Sequence, residues 1–318
     1  MLVITNRNIQ KSHFVNGTGD HQAFGEGFNS KGPNEIRLAK AQKNGDTWQV
    51  NMLKEPSRLT HQNLPSKHAL VELRQSMQAS GKNGVLFVHG FNQSFESSLN
   101  KAHDIETLYG VEVIVFSWPS NPGGFVTKEY RTAKRNALAS IGALDATLEK
   151  LGAYLKAPFD KNALKSCHTK FSLMTYSLGN FLFQNYVNNA LYEDETRIFD
   201  NVVLCQADVD NSDHACWVEN IEAGKRVYVT INENDGVLKW SDANFQKDRL
   251  GRTARNLTAK NAAYFDFTDG PDVDNTHGVF HVYTNDVVKG FFQLVLNGER
   301  GEHTKGLTYD QRKNAYRF

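Results

Sequence analysis

The chain has 318 residues, enough for one main α/β domain with additions, and its 40% hydrophobic and 11% aromatic content suits an ordinary buried core. Its 36 basic residues against 35 acidic ones create no bulk field for nucleic acid or an anionic membrane, so a small-molecule partner is expected. Cys167, Cys205 and Cys216 are an odd number without paired spacing, which fits reduced thiols. The apolar run after Met1 is too short to read as a secretory signal and nowhere do about eighteen apolar residues follow one another, so the chain is expected to be soluble and cytoplasmic, without membrane insertion.

In chain order, Leu2 to Thr5 is a short strand candidate, followed by a Gly-, Asn-, His- and Ser-rich segment of weak periodicity. Alternating runs between Glu35 and Leu53 flank Asn44-Gly45-Asp46, the turn chemistry of an antiparallel hairpin. An amphipathic patch at Leu70, Leu73 and Met77 predicts a connecting helix. From Gly84 the pattern becomes strands alternating with helices, which predicts a mostly parallel sheet covered on both faces. Its strands are expected at Gly84–His89, Val111–Phe116, Phe171–Tyr176, Val202–Gln206, Arg226–Ile231 and Ala262–Phe267, about eight in all with the N-terminal ones. Ser94 is placed to cap a helix carrying Phe95, Leu99, Ala102, Ile105 and Leu108, and apolar positions from Tyr130 to Leu151 trace one long helix. A last helix is expected around Val287 to Val295. The organisation expected is a segment 1–80 that belongs to or wraps on the main domain, a core 81–300 and a polar tail 301–318.

Ligands of an open parallel sheet bind beyond the carboxyl ends of its strands, so the residues just past each strand carry the chemistry. The apolar run Phe171–Tyr176 stops abruptly at Ser177-Leu178-Gly179-Asn180, a strand feeding a helix through a sharp turn that can present a hydroxyl. Thr175 stands where a Gly-x-Ser-x-Gly pattern has its first glycine. His89-Gly90-Phe91-Asn92 follows the first parallel strand, Asn232-Glu233-Asn234-Asp235-Gly236 a later one, and a long loop after Phe267 carries His277 and His281. A glycine turn, Ser, Asp and His in that order match the nucleophile, acid and base order of serine hydrolases built on an α/β sheet.

The chain resembles the α/β-hydrolases, and within them an uncharacterised bacterial group with four shared motifs. Here these read His89-Gly90-Phe91-Asn92, Trp118-Pro119-Ser120, Ser177-Leu178-Gly179-Asn180 and Ala207-Asp208-Val209-Asp210, with Thr5-Asn6-Arg7 as a further likeness. The group usually carries His where this chain has Tyr176, and Ala-Pro where it has Gln206-Ala207. The resemblance covers about residues 85 to 297. It implies an α/β-hydrolase fold and acyl transfer through a covalent serine ester, with Ser177 as nucleophile, Asp235 as acid and backbone N–H groups of Phe91 and Leu178 as oxyanion donors. His281-Val282-Tyr283 matches a His-x-Tyr before the final helix, so His281 is the expected base, with His277 the other histidine in reach.

Asp208 and Asp210 are the remaining acid candidates or else pocket residues, Asn92 belongs to the oxyanion turn, and Trp118 is a strand-end packing residue or a pocket wall. His61, His68, His103 and His168 stand in polar contexts and read as solvated. Asp208, Asp210, Asp213, His214 and Cys216 match no common zinc spacing, and no phosphate-binding glycine loop or basic-aromatic stripe is present. No metal and no cofactor is expected. The substrate expected is an acyl ester of small size in an open site. The alternatives are a non-catalytic binding module on the same fold, or a serine acyltransferase.

Overall fold

The computed structural model describes residues 1–54, 56, 64–121, 123, 126–155, 169–189, 197–245 and 247–318. His61, Cys167 and His168 lie outside them. Strands β1 (Leu2–Thr5), β2 (Arg7–Ile9), β3 (Phe14–Val15), β4 (Thr18–Gly19) and β5 (Phe24–Phe28) precede the hairpin β6 (Arg37–Asn44) and β7 (Thr47–Met52). Then come α1 (Pro65–Ser80), β8 (Gly84–Val88), α2 (Phe95–Tyr109), β9 (Glu112–Ser117), α3 (Val126–Ala139), α4 (Ile141–Leu155), β10 (Phe171–Tyr176) and α5 (Gly179–Asn189). The last part holds β11 (Phe199–Cys205), α6 (His214–Val218), β12 (Gly224–Ile231), α7 (Gly236–Phe245), β13 (Ala262–Asp266), α8 (Asp286–Leu296), β14 (Thr308–Asp310) and β15 (Ala315–Arg317).

Among the described residues, thirteen strands form one sheet in the order β14-β15-β13-β12-β11-β10-β8-β9-β1-β6-β7-β4-β3, and β2 pairs with β5 separately. The run from β15 to β1 is parallel throughout, and the remaining strands join antiparallel. Both faces of this parallel part are buried, which is why its strands read as near-continuous apolar runs. In β8, Val85 and Phe87 face the core beneath α2 and α8, while Leu86 and Val88 face the opposite core with residues of α1, α3, α4 and α5. The hairpin turns at Gly45, whose φ of 60° suits the left-handed region. Helix α2 begins where the Ser94 hydroxyl accepts the Ser97 N–H at 3.1 Å.

Two expectations about the elements are corrected. The single long helix from Tyr130 to Leu151 is two, α3 and α4, separated at Ser140. The Asn6 side-chain amide donates to the Ser140 hydroxyl at 3.0 Å, and a Cβ on Gly142 would stand 2.6 Å from Asn34 Oδ1, so the N-terminal segment wedges in where a continuous helix would run. Residues 301–318 are not a polar tail. β15 extends the parallel sheet beside β13, Ala315 is buried, Phe318 packs edge-on against Phe267, and Arg317 pairs with Asp269 at 2.7 Å. Alternating polar and apolar residues there, too short to stand out as strands, are stabilised by the sheet they join.

Candidate active site

After β8 the chain crosses to β9 on one side, and β10 then returns to the other side of β8. The order reverses at β8 and β10, which opens a crevice beyond their carboxyl ends. The His89–Asn92 turn and Ser177 stand at that crevice, with Asp208 after β11, Asp235 after β12 and His277 after β13.

Ser177 has φ 53°, a left-handed conformation that a non-glycine residue adopts at a cost and that surrounding bonds must hold. Its N–H donates to Cys205 O at 3.0 Å, and its carbonyl accepts from Asn180 N and Asp208 N at 3.0 and 3.2 Å. The Asn180 side-chain amide lies 3.0 to 3.2 Å from the carbonyls of Thr175, Ser177 and Cys205, and its oxygen accepts the Thr175 hydroxyl at 2.7 Å. Thr175 therefore replaces the usual first glycine with its hydroxyl satisfied. The glycine that does matter sterically is Gly179, where a Cβ would stand 2.6 Å from Val88 O. It lets α5 start directly against β8.

Asp235 is fully buried and caps α7: its Oδ1 accepts from Val237 N and Leu238 N, both at 2.9 Å. Its Oδ2 lies 2.7 Å from His277 Nδ1, and His277 Nε2 lies 2.8 Å from Ser177 Oγ. A carboxylate only accepts, so a neutral His277 carries its proton on Nδ1 and leaves Nε2 to accept from the serine hydroxyl. The loop bearing His277 is held by Asn232, whose amide donates to Asp274 O and Thr276 O at 3.1 and 2.9 Å, and by Gly236 N donating to Asn275 O. The His277 ring packs on Tyr176 with 5.1 Å between centroids.

His281, the base expected from the sequence, is not at Ser177. It ends a 3-10 turn, Val279–His281, whose Phe280 enters the core, and its Nδ1 points to Asp104 on α2 at 3.6 Å. Burial, with the Lys101 charge nearby, pushes its pKa down to about 4. The Phe280 anchor turns this ring away from the crevice, and His277, four residues earlier, occupies the place instead.

On the other side of Ser177, a Cβ on Gly90 would stand 2.6 Å from Ser177 Cβ and 3.1 Å from its Oγ, so only glycine allows the turn to lie this close. Phe91 and Leu178 are the residues that follow Gly90 and Ser177 in the chain, and among the described residues neither backbone N–H donates to a backbone carbonyl. Asn92, at φ 55°, lines the crevice and donates its N–H to Ser120 O at 3.0 Å. His89 lies beneath the turn. Its Nε2 accepts Trp118 N–H at 3.1 Å, so Nδ1 carries the proton toward Gly90 O at 3.0 Å, and burial pushes its pKa down to about 3. Trp118 is not a pocket wall: it is wholly buried, stacks on His89, and donates Nε1–H to His89 O at 2.9 Å. The buried guanidinium of Arg7 bonds Ser117 Oγ, Glu26 and Gln93 O, which fastens the N-terminal segment to the same turn.

A cleft of about 550 Å³ opens at Ser177 and His277. Phe91, Val126, Tyr176, Val237 and Trp240 give it apolar walls, and Tyr130, Asp208 and Ser241 a polar floor. A second cleft of similar size, lined by Lys40, Trp48, Glu72 and His103, is remote from these groups in the fold and holds no such constellation. Asp208 is engaged by Tyr130 and Ser241, each at 2.8 Å, rather than by a histidine. Asp210 pairs with Arg249 and Lys247 instead of reaching Ser177. Tyr130, Trp240 and Ser241 carry no signal of a site role in the sequence, and the Asn232 side chain holding the His277 loop is likewise not legible there. Among the described residues there is no group of three or more His, Cys, Asp or Glu that could hold a metal, and no helix long and apolar enough to cross a membrane.

Neither the curated proteins nor the solved structures give a match to this chain. A family model described as an alpha/beta hydrolase of unknown function (DUF900) matches residues 65–285, which takes in the glycine turn, the Ser177 elbow, Asp208, Asp235 and His277. With more than half of its length matched, on a mostly parallel sheet whose strand ends bring these groups together, the chain belongs to this family of alpha/beta hydrolases.

Proposed function

We propose that the protein is a serine hydrolase that cleaves a small acyl ester through a covalent acyl-serine, with Ser177, His277 and Asp235 as the triad. The observation that carries this reading is the continuous hydrogen-bonded chain from Asp235 Oδ2 through His277 to Ser177 Oγ, at 2.7 and 2.8 Å, opening into a cleft. As Ser177 Oγ attacks the ester carbonyl, His277 Nε2 takes its proton and Asp235 holds the resulting imidazolium. Negative charge gathers on the former carbonyl oxygen and is met by the N–H groups of Phe91 and Leu178. The imidazolium then gives the proton to the departing alcohol, leaving the acyl-serine. Water attacks next: His277 takes its proton and returns one to Ser177 as the acid leaves. The cleft volume of about 550 Å³ supports a substrate of small-molecule size.

The test is labelling by a fluorophosphonate probe, with the adduct located by mass spectrometry. Adduct is expected on Ser177 in the native protein and none in Ser177→Ala. His277→Ala should label at least about 100-fold more slowly, the usual effect of losing a general base, while His281→Ala labels within about threefold of native. Folded native protein that stays unlabelled beside a reactive control hydrolase would move the binding-module reading ahead. Slow labelling in His281→Ala with native-like rates in His277→Ala would overturn the assignment of the base.

A further inference from the structure

The polar floor of the cleft is an unusual thing to find beside a nucleophile in an otherwise apolar pocket. Asp208 is 4% exposed, and its N–H is bonded to Ser177 O, so its carboxylate is fixed relative to the elbow. Three groups from distant parts of the chain converge on it. Tyr130 Oη donates to Oδ2 at 2.8 Å, Ser241 Oγ donates to Oδ1 at 2.8 Å, and Arg249 Nε lies 3.2 Å from Oδ1. Tyr130 and Ser241 line the cleft with Asp208, while Arg249, 2% exposed, stands behind Ser241 and donates to its Oγ at 3.0 Å. Burying such a set costs desolvation that well-packed apolar side chains would avoid, so stability alone gives no reason for it.

Counting bonds shows what the floor can still recognise. Each carboxylate oxygen has room for about two hydrogen bonds. Among the described residues each oxygen takes one hydrogen bond, Oδ1 from Ser241 and Oδ2 from Tyr130, since the single Nε–H of Arg249 is donated to Ser241, so Asp208 keeps an acceptor site on each oxygen and no donor. Charge narrows the choice further. Asp208 and Asp210 share Arg249, and Lys247 also pairs with Asp210, so the carboxylates face as many cations and a cationic substrate gains little. A neutral group that donates is favoured.

We infer that Asp208 is a specificity-determining residue that accepts a hydrogen bond from a hydroxyl carried by the substrate a few bonds from the scissile carbonyl. The substrate class is then a hydroxylated ester, the hydroxyl lying on either the acyl or the alcohol side. This rests on the acyl-serine reading, and the experiment separates the two.

Wild-type kcat/KM is measured for p-nitrophenyl butyrate against its 3-hydroxy and 3-methoxy counterparts, and for ethyl butyrate against 2-hydroxyethyl butyrate. The hydroxyl ester of one pair should be preferred by about 10- to 100-fold, the usual range for a hydrogen bond to a charged group. In Asp208→Asn that ratio should fall below about threefold, and if the acyl pair carries the preference the methoxy ester, which cannot donate, should behave like the unsubstituted one. A ratio below threefold in both wild-type pairs, a ratio that survives in Asp208→Asn, or a methoxy ester used as well as a preferred 3-hydroxy ester would each overturn the inference. The methoxy and wild-type comparisons need no folded variant. Calorimetric binding of the same esters to Ser177→Ala supplies a readout without turnover. Tighter binding of the hydroxyl ester there, lost in the Asp208→Asn double variant, would sustain the subsite even if no ester were hydrolysed and the hydrolase reading fell. Equal binding of both members of each pair, with no turnover, would overturn it.

Discussion

Replacing Asp235 with asparagine exchanges one oxygen for an amide nitrogen and alters nothing else in volume. The direction of that amide is set by the helix it caps. Oδ1 receives two backbone N–H groups, from Val237 and Leu238, and only an oxygen can accept them. The new nitrogen must then face His277 Nδ1, where the carboxylate now stands at 2.7 Å. A donor placed there requires Nδ1 to accept, so the ring proton moves to Nε2, which can no longer take the Ser177 proton. The wrong tautomer in such a triad costs on the order of 10⁴-fold in rate, or about 5.5 kcal/mol of transition-state stabilisation. Stability should change by less than about 1 kcal/mol, because asparagine caps a helix as well as aspartate does. The assay is kcat/KM on a chromogenic short-chain ester or, without turnover, the rate of fluorophosphonate labelling, paired with thermal unfolding. A variant that folds normally and keeps more than a tenth of the native rate would refute the reasoning.

Two further outcomes follow from the turn beneath the site. Gly90→Ala puts a methyl 2.6 Å from Ser177 Cβ and 3.0 Å from Tyr176 O, so either Ser177 or the His89–Asn92 turn must shift. Labelling of Ser177 should slow by about 100-fold, as for a 1 Å misplacement, with a stability loss of about 1–3 kcal/mol; a native labelling rate would show that the turn has slack. His89, whose folded pKa lies near 3 against 6.5 unfolded, binds its proton more readily in the unfolded chain. Its contribution is complete above pH 6.5 and is lost as pH falls toward 3, at about 1.4 kcal/mol per pH unit. Buried carboxyls with raised pKa values, such as those of Glu106 and Asp266, act with the opposite sign, so the comparison is made by difference. The gap in unfolding free energy between native protein and His89→Gln should shrink by about 3 kcal/mol from pH 6.5 to 4, and a constant gap in urea titrations would refute it.

The parallel strands were legible because burial on both faces leaves an uninterrupted apolar run, as in Gly84–Val88 and Phe171–Tyr176, and each run stops where the chain reaches the crevice. Ser177 and Asp235 could be located at strand ends for that reason. The histidine could not. His277 and His281 share a loop, and what decides between them is the Asn232 amide reaching Asp274 and Thr276 more than forty positions later, together with Phe280 anchoring the turn that carries His281 away. Such contacts leave no local period or spacing. The break at Ser140 was hidden in the same way, since the group that interrupts the helix is Asn6. Tyr130 and Ser241 read as helix residues, and only the convergence of α3 and α7 on Asp208, just past β11, makes them part of the cleft floor.

Strand β1 lies inside the sheet, with β6 on one side and β9 on the other. Its antiparallel partner emerges from the ribosome soon after it, but the parallel one follows about 110 residues later, which at 5–20 residues per second is roughly 5–20 s. Until β9 is made, Leu2 to Thr5 has no parallel partner, and an apolar strand edge without its partner is a surface open to mispairing with other chains. The same edge is a template: once β9 is made it can be laid onto β1, and β8, already made, beside β9, so that the crevice is assembled outward from strands remote from it in the sheet.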